Sequence, residues 1–327
     1  MTAPGRTDRR PRQGLVCGAG GVLGFAWMVG ALQALHDGER LDPATAEVLI
    51  GTSAGSVMAA FLAAGVPLRT IVHHQLGLPV EGETPIDYDP DTGTGGALPP
   101  RRELRMGSRR LLLRAARHPR RYPPVAALSA LVPRGRGSLA PMGRVVDQFV
   151  PPGEWVDHPG TWIVAMDYDT GKRVPFGRQG SPRASIAEAV MSSCAIPGWY
   201  SPISIHGRRY VDGGICSVTS LDLLAHQGLD EVIVLAPMAS FDYDLPATFG
   251  ARVERTLRRA TSRRLLQEAD KVRRSGTAVT ILAPGREDLS AIGANLMDPR
   301  RRERVLKTSL RTSAAGLAER RDLLAAS

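Results

Sequence analysis

The sequence predicts an α/β fold: three layers, α/β/α, around a largely parallel central sheet. Three observations carry this. Short apolar runs alternate with helix-like segments along the chain, and a continuous apolar run suits a strand buried on both faces. Two of these runs pass into helices through glycine-bearing turns, at 18–24 and 51–55. The 327 residues, 43% of them hydrophobic, suffice for one large domain with decoration.

Strands are expected at 14–17, 48–50, 162–166, 231–236 and 277–283. Helices are expected at 25–35, 56–64, 185–193, 220–227 and 251–274. Strands joined through helices call for helical layers on both faces of the sheet. His206-Gly207 reads as a hairpin tip, with Tyr210-Val211 returning as a strand. Residues 1–13, with Pro4, Gly5, Pro11 and four arginines, read as a disordered basic tail. The main domain is expected over 14–290. The polar remainder, 291–327, reads as surface helices at 300–307 and 314–324.

Residues 77–139 interrupt the alternation and read as an inserted cap over the site. The insertion is acidic first, with Glu81, Glu83, Asp87, Asp89 and Asp91 and no basic residue before Arg101. Then eleven arginines fall between 101 and 136 against Glu103 alone. That window nets +10, as much as the whole chain. A basic helix over 101–117 would share Leu104, Leu111 and Ala115 on one face, leaving Met106 and Leu113 off it. An anionic membrane surface fits such a charge. Nucleic acid is disfavoured, because no aromatic residue interleaves the arginines before Tyr122. A merely solvated surface is the third reading, since Lys172, Lys271 and Lys307 are the only lysines and arginine carries nearly all the basic charge.

Ser53 stands in Gly51-Thr52-Ser53-Ala54-Gly55, between an apolar strand and an apolar helix. That places the serine on a sharp strand-to-helix turn, a nucleophile elbow, with Gly51 and Gly55 admitting the tight backbone. The helix N-terminus favours negative charge beside it.

Gly18-Ala19-Gly20-Gly21-Val22-Leu23-Gly24 makes a second strand-glycine-helix passage. Its backbone N–H groups form an anion cradle, suited to an oxyanion hole. Read as a dinucleotide fingerprint it is one residue too long. Residues 14–36 carry no formal charge and follow Arg9-Arg10, as an export signal or membrane span would. Six glycines, most at the front, and no clean cleavage site argue against that, so a cytoplasmic protein, peripheral to membrane at most, is expected. Asp212 closes the strand after the hairpin, and Gly213-Gly214 opens a loop. A carboxylate there takes a serine proton if it lies within reach; otherwise it is a turn aspartate.

These three signals, with Ser192-Ser193-Cys194-Ala195-Ile196-Pro197-Gly198 before the hairpin, resemble the bacterial patatin-like phospholipases over about residues 14–284. The resemblance implies a lipid acyl hydrolase acting on phospholipids or related esters. Ser53 would be the nucleophile, Asp212 the base, and Gly20, Gly21 and Val22 the oxyanion hole, with Gly213 and Gly214 supporting the loop. The family usually carries a basic residue two places beyond its glycine triplet, where this chain has Leu23. Ser217-Val218-Thr219-Ser220 replace the asparagine and proline often found after D-G-G. A non-catalytic acyl-binding protein on the same fold is one alternative. A Ser-His-Asp esterase is another, with His226 the only histidine beyond Asp212. His226 falls in the last turn of the expected helix, where histidine serves the helix terminus.

Cys17, Cys194 and Cys216 are odd in number and lack metal spacing, which suits a reducing compartment. No metal or cofactor is expected. Oligomeric state leaves no trace in the sequence.

Overall fold

The computed structural model describes residues 11–79, 82–89, 98–100, 103, 106–118, 122, 124–242 and 249–325, the backbone alone for 249–254, 257 and 320–325. Its strands are β1 (Gln13–Cys17), β2 (Val48–Thr52), β3 (Thr161–Asp167), β4 (Arg173–Phe176), β5 (Ile203–Ile205), β6 (Arg208–Asp212), β7 (Glu231–Leu235) and β8 (Ala278–Leu282). They form one sheet in the order β5-β6-β3-β2-β1-β7-β8, with β4 also on β3. The five strands β3-β2-β1-β7-β8 are mutually parallel. Every residue of β2 and β3 is buried, as an all-apolar strand in the middle of a covered sheet requires.

The edge of β3 next to β2 is shared. β2 pairs in parallel with it up to Thr52↔Val164. β6 then takes over, antiparallel, from Ala165↔Asp212 to Asp167↔Tyr210. β4 occupies the opposite edge, pairing residues 163–166. The C-terminal ends of β2 and β6 therefore meet head to head along one strand. β4 was not expected from the sequence; the hairpin was, and His206 and Gly207 turn it with φ of 48° and 74°.

The helices are α1 (Gly21–Asp37), α2 (Ala54–Ala63), α3 (Leu68–Leu76), α4 (Arg109–Arg117), α5 (Pro124–Leu131), α6 (Ala140–Asp147), α7 (Ile186–Cys194), α8 (Phe249–Arg273), α9 (Arg286–Ile292) and α10 (Arg302–Ala325). On one face of the sheet, α1, α2, α6, α7 and α10 enclose a core with Leu15, Leu49, Ile163 and Ala165. On the other, Leu265, Ala269 and Val272 of α8 cover Val16, Ile50, Val164 and Val234. Beside them, Leu111 of α4 and Ala126 and Ala130 of α5 cover Met166, Tyr168 and Val211. Continuous apolar burial outweighs the poor helix propensity of Gly21 and Gly24, so α1 starts four residues earlier than expected.

Several expectations are corrected. Over 220–227 there is only a 3₁₀ turn, Leu221–Leu224, entered through a left-handed Ser220 (φ 55°). The carboxylate of Glu268 on α8 accepts from the Leu221 N–H (3.1 Å) and the Thr219 hydroxyl (2.9 Å), and these tertiary bonds prevail over local helix propensity. The C-terminal part is one helix, not two, and it is not confined to the surface. Its polar middle, which read as a break, makes packing bonds: Ser309 Oγ donates to Trp27 O at 2.7 Å and Thr312 Oγ1 to Asp288 Oδ1 at 2.8 Å. Residues 1–10 of the expected disordered tail lie outside the described residues. Arg12, assigned to that tail, instead donates to Glu47 at 2.6 Å through Nε and to Asp230 at 2.7 Å through its backbone N–H. The expected basic helix begins at Arg109, capped by Ser108; Leu104 lies outside the described residues.

Among the described residues no helix is long and apolar enough to cross a membrane, and no three His, Cys, Asp or Glu side chains are grouped to hold a metal ion.

Candidate active site

Ser53 follows the last residue of β2 and precedes the first of α2, with φ 53° and ψ −123°. A non-glycine residue with positive φ costs on the order of 1–3 kcal/mol and persists only where its surroundings over-determine it. They do so here. The Ser53 N–H donates to Ser193 Oγ at 2.8 Å, and that hydroxyl donates to Val164 O at 2.6 Å. The Ser53 carbonyl accepts from the N–H and the hydroxyl of Ser56 at 2.7 and 2.6 Å. Gly55 is required by packing, for a Cβ there would lie 1.9 Å from the Cys17 carbonyl oxygen. The turn is thus pressed against the end of β1.

Asp212, the last residue of β6, is only 6% exposed. Its N–H donates to Ala195 O at 3.0 Å, and its Oδ1 accepts from the Gly214 N–H at 2.7 Å. Burial pushes its carboxyl up to about 6, opposed by hydrogen bonding from the Ser53 hydroxyl and from the Gly214 N–H. The two residues singled out in the sequence are therefore brought together, and the geometry of β3 explains how. Ser53 leaves the end of β2 just where Asp212 arrives at the end of β6.

The glycine run bends into α1 beside them. Gly18 N–H is taken by Leu235 O (2.9 Å), Ala19 N–H by Val218 O (2.7 Å) and Leu23 N–H by Leu296 O (3.0 Å). The N–H groups of Gly20, Gly21 and Val22 have no backbone acceptor outside their own helix among the described residues, as the first turn of a helix leaves them. Gly21 (φ 61°) and Val22 line the same cleft as Ser53. The Leu23 side chain is fully buried in the core and brings no charge to the cleft. Gly51 lies within β2, and Gly213, buried behind Asp212, begins a 3₁₀ turn that carries the Gly214 N–H to the carboxylate.

The cleft is walled mainly by apolar side chains, among them Phe25, Phe61, Ile86, Met142 and Ile196. Its described roof comes from α3, from 86–88 of the acidic stretch and from α6. The arginine helix α4 does not roof it. Leu111 and Ala115 draw α4 onto the opposite face of the sheet, which corrects the expectation of a basic cap above the site.

Two histidines bear on the triad alternative. His226 is exposed in a left-handed turn (φ 65°) and does not line the cleft. His74 does line it, but both ring nitrogens are engaged, Nε2 with Tyr88 O at 2.7 Å and Nδ1 with Gln75 Nε2 at 3.2 Å. Neither is left for a serine.

The sequence reading missed Ser193 and Ser56, which hold the serine turn from both sides. The segment containing Ser193 stood out only by resemblance; its hydroxyl bridging β3 to the turn becomes visible once α7 is laid across the sheet.

A family model described as Patatin-like phospholipase matches residues 15–81 and 83–225. Among solved structures, VipD from Legionella pneumophila is similar at 14% identity and a TM-score of 0.44, over 95% of this chain and 67% of that one. The type III effector protein ExoU is similar at 16% identity and a TM-score of 0.36, over 95% of this chain and 53% of that one. By the extent of the family match, this chain belongs to the patatin-like phospholipase family.

Proposed function

We propose that the chain hydrolyses acyl esters of phospholipids or related lipids through a Ser53–Asp212 pair without a histidine. The observation that carries this is the strained, buried Ser53 hydroxyl set against a carboxyl that burial raises to about 6. A carboxylate of ordinary acidity is a poor base, and one tuned toward neutrality accepts a proton at much lower cost.

The Ser53 oxygen attacks the ester carbonyl while its proton passes to Asp212. The N–H groups of Gly20, Gly21 and Val22 receive the oxyanion, each such donor being worth roughly 10²–10³ in rate. The intermediate collapses, the alcohol leaves with the proton from Asp212, and the acyl group stays on Ser53. Water then attacks the acyl-serine, gives its proton to Asp212, and the proton returns to Ser53 as the fatty acid departs. The apolar cleft suits an acyl chain.

Labelling by a fluorophosphonate probe tests the pair. Wild type is expected to label and Ser53→Ala not at all, with Asp212→Asn labelling strongly reduced. Equal labelling of wild type and Ser53→Ala, both folded, would overturn the assignment, and full labelling of Asp212→Asn would remove the base.

A further inference from the structure

We infer that the α4–α5 hairpin is a docking surface for an anionic phospholipid bilayer. Nine large apolar side chains are exposed among the described residues; four of them, Leu113, Val125, Leu128 and Leu131, fall within this hairpin, and Met106 lies just before α4. Val125, Leu128 and Leu131 recur every three residues along α5, with exposures of 56, 61 and 48%. That spacing keeps them on one side of the helix. The opposite side is fully used: Ala126 and Ala130 pack with Leu111 against Met166 and Tyr168, and the Tyr168 hydroxyl donates to Ser129 O at 2.7 Å. The outward face is therefore apolar by sequence and held rigidly, not exposed through loose packing.

Positive charge surrounds it. Arg109, Arg114 and Arg117 of α4 are exposed, and no carboxylate among the described residues lies within salt-bridge distance of them. Arg110 on that helix reaches an acid, Asp169, at 3.7 Å. A nucleic acid offers phosphates for these arginines but no apolar phase for Leu128 and its neighbours. A protein partner offers an apolar patch, yet needs an acid placed for each arginine. An anionic bilayer offers diffuse negative charge above an apolar interior, and a helix face lies about 5–10 Å into that boundary. Both features are met by one partner.

The surface lies past the C-terminal end of β3, on the face of the sheet opposite the cleft. Docking there deepens the acyl-hydrolase reading, on which its biological use rests, by naming the surface that brings the chain to its lipid. Its test reads binding and not turnover, so the two stand or fall separately. The full chain carrying Ser53→Ala, which leaves the lipid intact, is floated with phosphatidylcholine vesicles and with vesicles that also contain phosphatidylserine. Binding only to the second is expected, falling with salt as surface charges are screened. Arg114→Gln with Arg117→Gln is expected to weaken it about 25-fold, roughly fivefold for each arginine. Leu128→Asp is expected to abolish it, with the melting temperature retained as evidence of folding. Equal binding to both vesicles, or unchanged binding by folded variants, overturns the proposal. So does loss by Leu128→Asp of a dimer seen in light scattering, or arginine-dependent binding of RNA, where vesicles are not bound.

Discussion

Asp212→Asn should make the protein inactive and more stable. A rise from 3.8 to about 6 in the folded chain corresponds to a penalty of about 3 kcal/mol for keeping the carboxyl ionised. Asparagine has the same shape; its Oδ1 still accepts from the Gly214 N–H, and its Nδ2 faces a hydroxyl that can accept. Because the folded chain holds this proton more tightly than the unfolded chain, the group's contribution to stability falls as pH rises from about 4 to about 6. Above that the full penalty stands. The variant should thus match wild type near pH 4 and exceed it by up to about 3 kcal/mol at pH 7.5. With an unfolding entropy of about 2.1 cal/mol/K per residue and 327 residues, that is a rise of about 4 °C. Calorimetric scans of both proteins across this pH range measure it directly. A variant no more stable at pH 7.5, or a gain that does not shrink toward pH 4, would refute the claim that burial strains this carboxylate.

Other expectations concern the same site. The acylation rate, kcat/KM for a soluble ester, should rise with unit slope to about pH 6 and then level, because Asp212 must be ionised to act; a profile flat from pH 4.5 to 7 would contradict this. Ser193→Ala removes the acceptor of the Ser53 N–H, and should cost about 1–3 kcal/mol of stability and lower kcat more than it raises KM. Gly55→Ala drives a methyl into the Cys17 carbonyl and should cost about 3 kcal/mol or prevent folding, as denaturant titration would show. His226→Ala, at an exposed turn, should change stability by no more than about 0.5 kcal/mol and leave fluorophosphonate labelling intact.

The parallel sheet was legible because its strands are short, continuous apolar runs, and burial on both faces demands that composition. The Ser53 turn was legible from its flanking glycines between an apolar strand and an apolar helix, although of the two only Gly51 is forced by local contacts, with Gly55 and Ser56, while Gly55 is forced by the distant Cys17 carbonyl. Asp212 was weaker. Nothing near it in sequence shows that β6 would lie against the far half of the β3 edge, since strand pairing is decided between distant segments. Ser193 was invisible as a support for the same reason. Over 220–227 local propensity pointed to a helix, while Glu268, on a helix far along the chain, made a 3₁₀ turn the better-bonded choice. The stretch 308–313 misled because hydroxyls that look solvent-facing in sequence were needed at a helix–helix contact.

The head-to-head meeting of β2 and β6 makes β3 a splint across a break. Ser53 and Asp212, the proposed nucleophile and base, follow or end strands that do not pair with each other, and β3, helped by the end of α7, sets their distance. A slip of one residue in the hairpin would carry Asp212 about 3.4 Å along the splint and turn its side chain to the other face. The five parallel strands would be untouched. The chemistry is therefore more fragile than the fold that bears it: this architecture has a built-in way to survive intact as a protein while ceasing to be an enzyme.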